Sequence, residues 1–153
     1  EWTTDQNGTA NQYLDMLEKI SAVTAGSSLK FTVDMPFWFD GRTVVRSGVS
    51  RILSETIIDR TDGVVIMDYR DTGSSIISLG GTEMSYAQST GKQLTIGVET
   101  RCSTSEPEYV SFCEEGASYM ESELTTAWNY FKSYSSFQGF AVHDYKNYNL
   151  LKP

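Results

Sequence analysis

Short apolar runs alternate with amphipathic stretches along the whole chain. Four runs stand out: Phe31-Thr32-Val33-Asp34, Val64-Val65-Ile66-Met67-Asp68, Leu94-Thr95-Ile96-Gly97-Val98-Glu99 and Phe140-Ala141-Val142-His143-Asp144. Each is short and rich in β-branched residues, as parallel strands covered on both faces are. They predict strands over about 30–34, 63–68, 93–99 and 139–142. The stretches between them follow a helical period. Leu14, Leu17, Ile20 and Val23 form one stripe over 10–24, which Gly26 stops. Val49, Ile52, Leu53, Thr56 and Ile57 share a face over 49–59. Ala117, Met120, Leu124, Ala127, Trp128 and Phe131 recur at three- and four-residue steps, behind a capping-box pair at Ser111 and Glu114. Trp128 is therefore expected in the core. Gly80-Gly81 interrupts 75–89 and predicts a short or broken helix there.

Helix followed by strand, four times over, predicts an α/β domain with four parallel strands and right-handed crossovers. A closed (β/α)8 barrel needs roughly 250 residues. With 153 residues, a start on a helix and an end just past a strand, the chain fits half of a TIM-type barrel, as a single domain over 1–153. An open flavodoxin-like sheet is the competing arrangement and normally carries a fifth strand. Half a barrel leaves two free edges and an apolar inner face. A missing amino-terminal half-barrel, or a second copy, is expected to complete it.

All four runs finish on an acid: Asp34, Asp68, Glu99 and Asp144. In β/α folds the carboxyl ends of the strands form the ligand-binding face. The four acids are expected to converge on one rim, as carboxylate chemistry on a sugar or small polyol requires.

Charge narrows the partners. The formal net charge is −8 and the basic residues are scattered, so neither a nucleic acid nor an anionic membrane surface is expected as a partner. No apolar run approaches the roughly 20 residues of a membrane span. Cys102 and Cys113 flank a polar loop with no His pair or second Cys pair beside them, so no metal site is expected. A disulfide closing this loop and fixing the rim is expected instead. Asn7-Gly8-Thr9 is a glycosylation sequon. Together these features point to an extracytoplasmic or secreted protein. The start at Glu1, without Met or signal peptide, predicts a processed chain, a fragment or a trimmed one. No cofactor is expected: no glycine-rich turn follows the first strand. No G-x-S-x-G elbow is present for a nucleophilic serine. Asp71-Thr72-Gly73-Ser74-Ser75 spells an aspartic-protease loop, but that chemistry needs two such loops sharing a proton.

The segment Leu94-Thr95-Ile96-Gly97-Val98-Glu99-Thr100, the helix region opening Phe112-Cys113-Glu114-Glu115-Gly116, and the closing Phe137-Gln138-Gly139-Phe140-Ala141-Val142-His143-Asp144-Tyr145 resemble the last two units of bacterial-type (β/α)8 proteins that are glycoside-hydrolase-like. Val64-Val65-Ile66-Met67-Asp68-Tyr69-Arg70 resembles the sixth strand of the same architecture. The resemblance covers nearly the whole chain as the carboxyl-terminal half of such a barrel. It implies that Glu99, at the end of the seventh barrel strand, occupies the nucleophile position of a retaining glycosidase. The usual acid/base position, at the end of the fourth strand, lies in the half this chain lacks. Retaining hydrolysis needs two carboxyls about 5 to 5.5 Å apart, so Asp68, Asp144 or another polypeptide must supply the second.

Each candidate has a plainer alternative. Glu99 is a nucleophile or sugar ligand, or an acid that ends a strand and accepts bonds from loop amides. Asp68, Tyr69 and Arg70 bind hydroxyls, or Asp68 and Arg70 pair to organise the rim. Asp34 is a rim acid or a structural carboxylate. Phe37, Trp38 and Phe39 stack on sugar rings, or form a lid over the barrel mouth. His143 and Asp144 are adjacent, so strand geometry sends them to opposite faces rather than into one dyad. The leading expectation is a carbohydrate-active, glycoside-hydrolase-like half-barrel with Glu99 and Asp68 as catalytic residues. Asp34, Trp38, Tyr69, Arg70, His143 and Asp144 then bind substrate. The rival is a non-catalytic structural or interaction module.

Overall fold

The computed structural model describes residues 6–153, the side chains of Gln6 and Asn7 excepted. The side chain of the sequon's Asn7 therefore lies outside the described residues. The chain is α/β. Four strands, β1 (Thr32–Pro36), β4 (Gly63–Met67), β5 (Gln93–Glu99) and β6 (Phe137–His143), form one all-parallel sheet in the order β1-β4-β5-β6. Each strand of this sheet lies beside the next in sequence, with a helix in every crossover: α2 (Leu53–Ile58), α3 (Gly73–Thr90) and α4 (Ala117–Phe131). Right-handed crossovers in an unreversed order put successive helices on one face, and α2 packs on α3 and α3 on α4.

The pleat sorts the side chains into two faces. Met35, Val64, Ile66, Leu94, Ile96 and Val98 point into the helix layer and are buried. There they meet Ile57, Ile58, Ile76, Met84, Ala127 and Phe131. The other face is open. Its rows follow from the ladder register: Asp34 beside Val65 and Thr95, then Pro36, Met67, Gly97 and Ala141, then Glu99 beside His143.

The sequence pattern differs from the structure in four places. The stretch 49–59 is not one helix. Val49–Ile52 is strand β3, paired antiparallel with β2 (Thr43–Arg46), and only Leu53–Ile58 is helical. Ser47 (φ 50°) and Gly48 (φ 79°) are both left-handed, the geometry that joins two strands by a two-residue turn. Arg46 holds this hairpin to α1 (Gln6–Thr24) through Asp15 and Glu18. Second, α3 runs unbroken through Gly80-Gly81. Gly80 lets the helix pack closely: a Cβ there would sit 2.8 Å from Ile96 Cδ1 and 3.2 Å from Asp68 Oδ2, so those side-chain ends would have to shift. Third, α4 begins at Ala117 behind Gly116 with no side-chain cap, so Ser111 and Glu114 form no capping box. Ser111 instead accepts from Cys113 N–H at 3.2 Å. Fourth, Trp128 is 48% exposed, on the solvent shoulder of α4 against Phe137.

Helices α3 and α4 approach closely at Gly73, the first residue of α3. A Cβ there would lie 2.6 Å from the Glu123 carbonyl oxygen and 2.8 Å from Thr126 Cβ. Backbone cannot yield as a side-chain end can. Gly73→Ala should therefore lower stability in urea unfolding by about 1–3 kcal/mol. Gly81→Ala, whose Cβ meets nothing within 4 Å, should raise it by up to about 1 kcal/mol through helix propensity alone.

Candidate functional site

Strand β5 carries Glu99 out on the open face, because Val98 before it is locked into the helix layer. The β5–β6 ladder sets His143 directly opposite. The two side chains meet: Glu99 Oε2 lies 3.0 Å from His143 Nδ1. Oε1 accepts the backbone N–H groups of Thr100 and Arg101, both at 2.8 Å. The Glu99 side chain is almost fully buried (8% exposed), whereas that of His143 is 56% exposed. Thr100 closes the joint. Its N–H and hydroxyl donate to the His143 carbonyl at 2.7 and 2.9 Å, so the ends of β5 and β6 cannot separate without breaking both. Tyr69 lies just beyond β4. Its ring is 24° from parallel to the imidazole, with centroids 6.3 Å apart. Burial first, then the negative charge of Glu99, raises the Tyr69 phenol above its ordinary value.

The other acids are not at this rim. Asp68 continues the inward set Val64, Ile66, and its side chain lies in the helix layer, 0% exposed, against the bare backbone of Gly80. The expectation that it stands beside Glu99 is corrected by the parity of the strand: Met67 faces out, so Asp68 faces in. Asp34 does leave on the open face but in the row of Thr95, four residues below Glu99. At about 3.3 Å per residue that is about 13 Å along the strands, too far for a carboxyl pair of either hydrolytic geometry. Asp144 caps the short helix α5 (Tyr145–Tyr148), accepting from Asn147 N–H at 2.9 Å. That bond, followed by lesser contributions, lowers its pKa. His143 ends β6 and Asp144 already belongs to the cap of α5, so the two side chains are separated by the end of the strand rather than by its alternation.

Arg70 is occupied by neighbouring rings. Its guanidinium lies 4.9 Å from the Phe37 ring centroid and 5.2 Å from that of Tyr109, and it donates to the Tyr69 carbonyl at 2.6 Å. It joins the loop after β1 to the loop after β5. Trp38 sits in the turn Phe37–Phe39, 36% exposed and edge-on to Phe39, with Arg42 5.6 Å over its ring. Its strand is separated from β5 by β4. Thr100 and Tyr109 were not foreseeable as organisers, since nothing in their neighbours' spacing marks them.

Cys102 and Cys113 form a disulfide, with Cα atoms 5.1 Å apart. It closes the loop that starts at the Glu99 clamp. Phe112 N–H returns to the Glu99 carbonyl at 3.0 Å, so the loop is fastened to the strand end at both of its own ends. A cleft of ≈ 550 Å³ lies alongside, lined by Thr100, Cys102, Cys113, Asn147, Leu150 and Leu151. It shares Thr100 with the dyad but neither Glu99 nor His143.

Asp68 and Glu83 are the misfits of the helix layer. Both are buried, and none of their four carboxyl oxygens makes a hydrogen bond; the Ser54 hydroxyl sits beside Glu83 without bonding geometry. Burial pushes Asp68 up to about 8, against the pull of Arg70 and with added repulsion from Glu83. It pushes Glu83 up to about 7.

Unfolded carboxyls ionise near pH 4. Between about pH 4 and the folded values, the folded chain holds protons that the unfolded chain has lost, so stability falls as pH rises. Thermal unfolding should give a lower Tm at pH 8 than at pH 5, worth a few kcal/mol. Asp68→Asn, a neutral isostere, should flatten that slope and exceed wild type at pH 8. An unchanged slope would show that these carboxyls find water. For the disulfide, intact-mass analysis after alkylation without reductant should show no free thiol. Reduction should cost about 3 kcal/mol.

No protein-family model matches this chain, and no curated protein or solved structure shows significant similarity to it.

Proposed function

We propose that this chain is a glycan-binding portion of a (β/α)-barrel, glycoside-hydrolase-like protein, with Glu99 and His143 at the centre of its rim. The observation that carries this reading is the clamp on Glu99. A strand-end carboxylate is held by two loop N–H groups and an exposed imidazole beside an aromatic ring. The exposed imidazole and the ring beside it suit the hydroxyl-rich edge and flat apolar face of a sugar or small polyol, with the carboxylate holding the imidazole in place. The singly wound order of four parallel strands suits half of a barrel. On this reading an amino-terminal half, or a second copy, covers the open face and supplies the missing carboxyl. The disulfide suits an oxidising, extracytoplasmic or secreted setting, and no helix among the described residues is long and apolar enough to cross a membrane.

A second reading, a non-catalytic interaction module, is favoured by the withdrawal of Asp68 from the rim, which leaves Glu99 without a carboxyl partner among the described residues. On this reading the rim mediates assembly or glycan binding, without turnover.

The test is titration of a panel of neutral oligosaccharides, in parallel with a turnover assay. Glu99→Ala and His143→Ala should each weaken binding by about 1.5–3 kcal/mol, the range for hydrogen bonds to charged groups. Equal affinity in wild type and both variants would remove the dyad from the binding site. Binding without turnover in an assembly that carries the completing half would select the interaction module.

A further inference from the structure

The two members of the dyad are not equivalent. Glu99 has spent its oxygens: Oε1 accepts two backbone N–H groups and Oε2 faces Nδ1. It is 6% exposed. His143 is the reverse. Its side chain is more than half exposed, and Nε2 makes no hydrogen bond to any described residue. The tautomer follows from the partners. A carboxylate oxygen can only accept, so the proton of a neutral imidazole must sit on Nδ1, leaving a bare lone pair on Nε2. Thr100 fixes the histidine from behind through the His143 carbonyl, and Tyr69 lies nearly parallel to the ring.

We propose that Nε2 of His143 is the proton-accepting group this rim presents to its ligand, and that Glu99 is a positioning residue that sets the tautomer. A ligand hydroxyl or a water donates its O–H to Nε2. If the proton moves across, the oxygen keeps the bonding pair and the imidazole becomes an imidazolium, paired through Nδ1–H with the Glu99 carboxylate. The assignment of the ligand group as a hydroxyl rests on the glycan reading; the assignment of the two nitrogens does not.

His143 is the only histidine in the chain, so its ring can be read without ambiguity. Long-range ¹H–¹⁵N correlation spectra are recorded at rising pH until the ring shifts stop changing. Wild type should show the Nδ1–H tautomer. Glu99→Gln should switch it to Nε2–H, because the single amide oxygen is taken by the Thr100 and Arg101 N–H groups and the amide NH2 then faces Nδ1 and donates to it. Glu99→Ala should lose it. An Nε2–H tautomer in wild type, or identical spectra for wild type and Glu99→Ala, would overturn the proposal. Accessibility is read with diethylpyrocarbonate. The free ring nitrogen attacks a carbonyl carbon, an ethoxycarbonyl group is transferred, and ethyl carbonate leaves and breaks down to carbon dioxide and ethanol. The folded protein should gain one such group, placed by spectroscopy on Nε2. Reaction only after unfolding would equally overturn the proposal. If both results hold while no oligosaccharide binds, the proton-acceptor role stands and the ligand class is wrong.

Discussion

The parallel ladder between β5 and β6 sets Glu99 opposite His143, and the rest of the rim is arranged around that pairing. Val98 and Val142 occupy the row below on the helix side. A slip of one residue would therefore turn the acid into the core and the valine out to solvent. The burial of Val98 is worth on the order of 2 kcal/mol, and desolvating an unpaired carboxylate costs several more. Register and site are thus enforced by the same contacts. The Thr100 bonds to the His143 carbonyl add a second lock just past the end of the ladder. The disulfided loop returns to the same strand end through Phe112.

Much of the architecture was legible in the sequence because it is written in two periods. The strand at Gln93–Glu99 is where the apolar run places it, and the remaining three parallel strands lie within a few residues of theirs. The hairpin at 43–52 was hidden because Val49, Ile52, Leu53, Thr56 and Ile57 also satisfy a helical spacing. Only the left-handed pair Ser47-Gly48 distinguishes the two readings, and Ser carries that conformation without announcing it. The continuity of α3 was hidden for the opposite reason. Two glycines read as a break, yet Gly80 is there to let the helix close onto Ile96 and Asp68.

The site was legible at Glu99 and illegible at Asp68, and the difference is one of counting. Both residues end apolar runs. Where every position of a run is apolar, composition does not say which side each residue faces. Only the partner strand's register does, and that is a property of the folded sheet. The clamp on Glu99 is likewise invisible in advance, since backbone N–H groups have no sequence signature. The pairing of His143 with Glu99 links residues 44 positions apart.

The floor below the dyad has its own consequence. Beneath Glu99 and His143 the open face carries Gly97 and Ala141, the two smallest side chains available, while Met67 stands beside them. A Cβ at Gly97 would come within 3.0 Å of the Ile66 carbonyl oxygen, so the neighbouring strand's backbone resists any enlargement there. The lack of bulk directly below the dyad is therefore held by main chain, not by the choice of a removable side chain. Sequence drift can change Met67 beside it more readily than Gly97 itself.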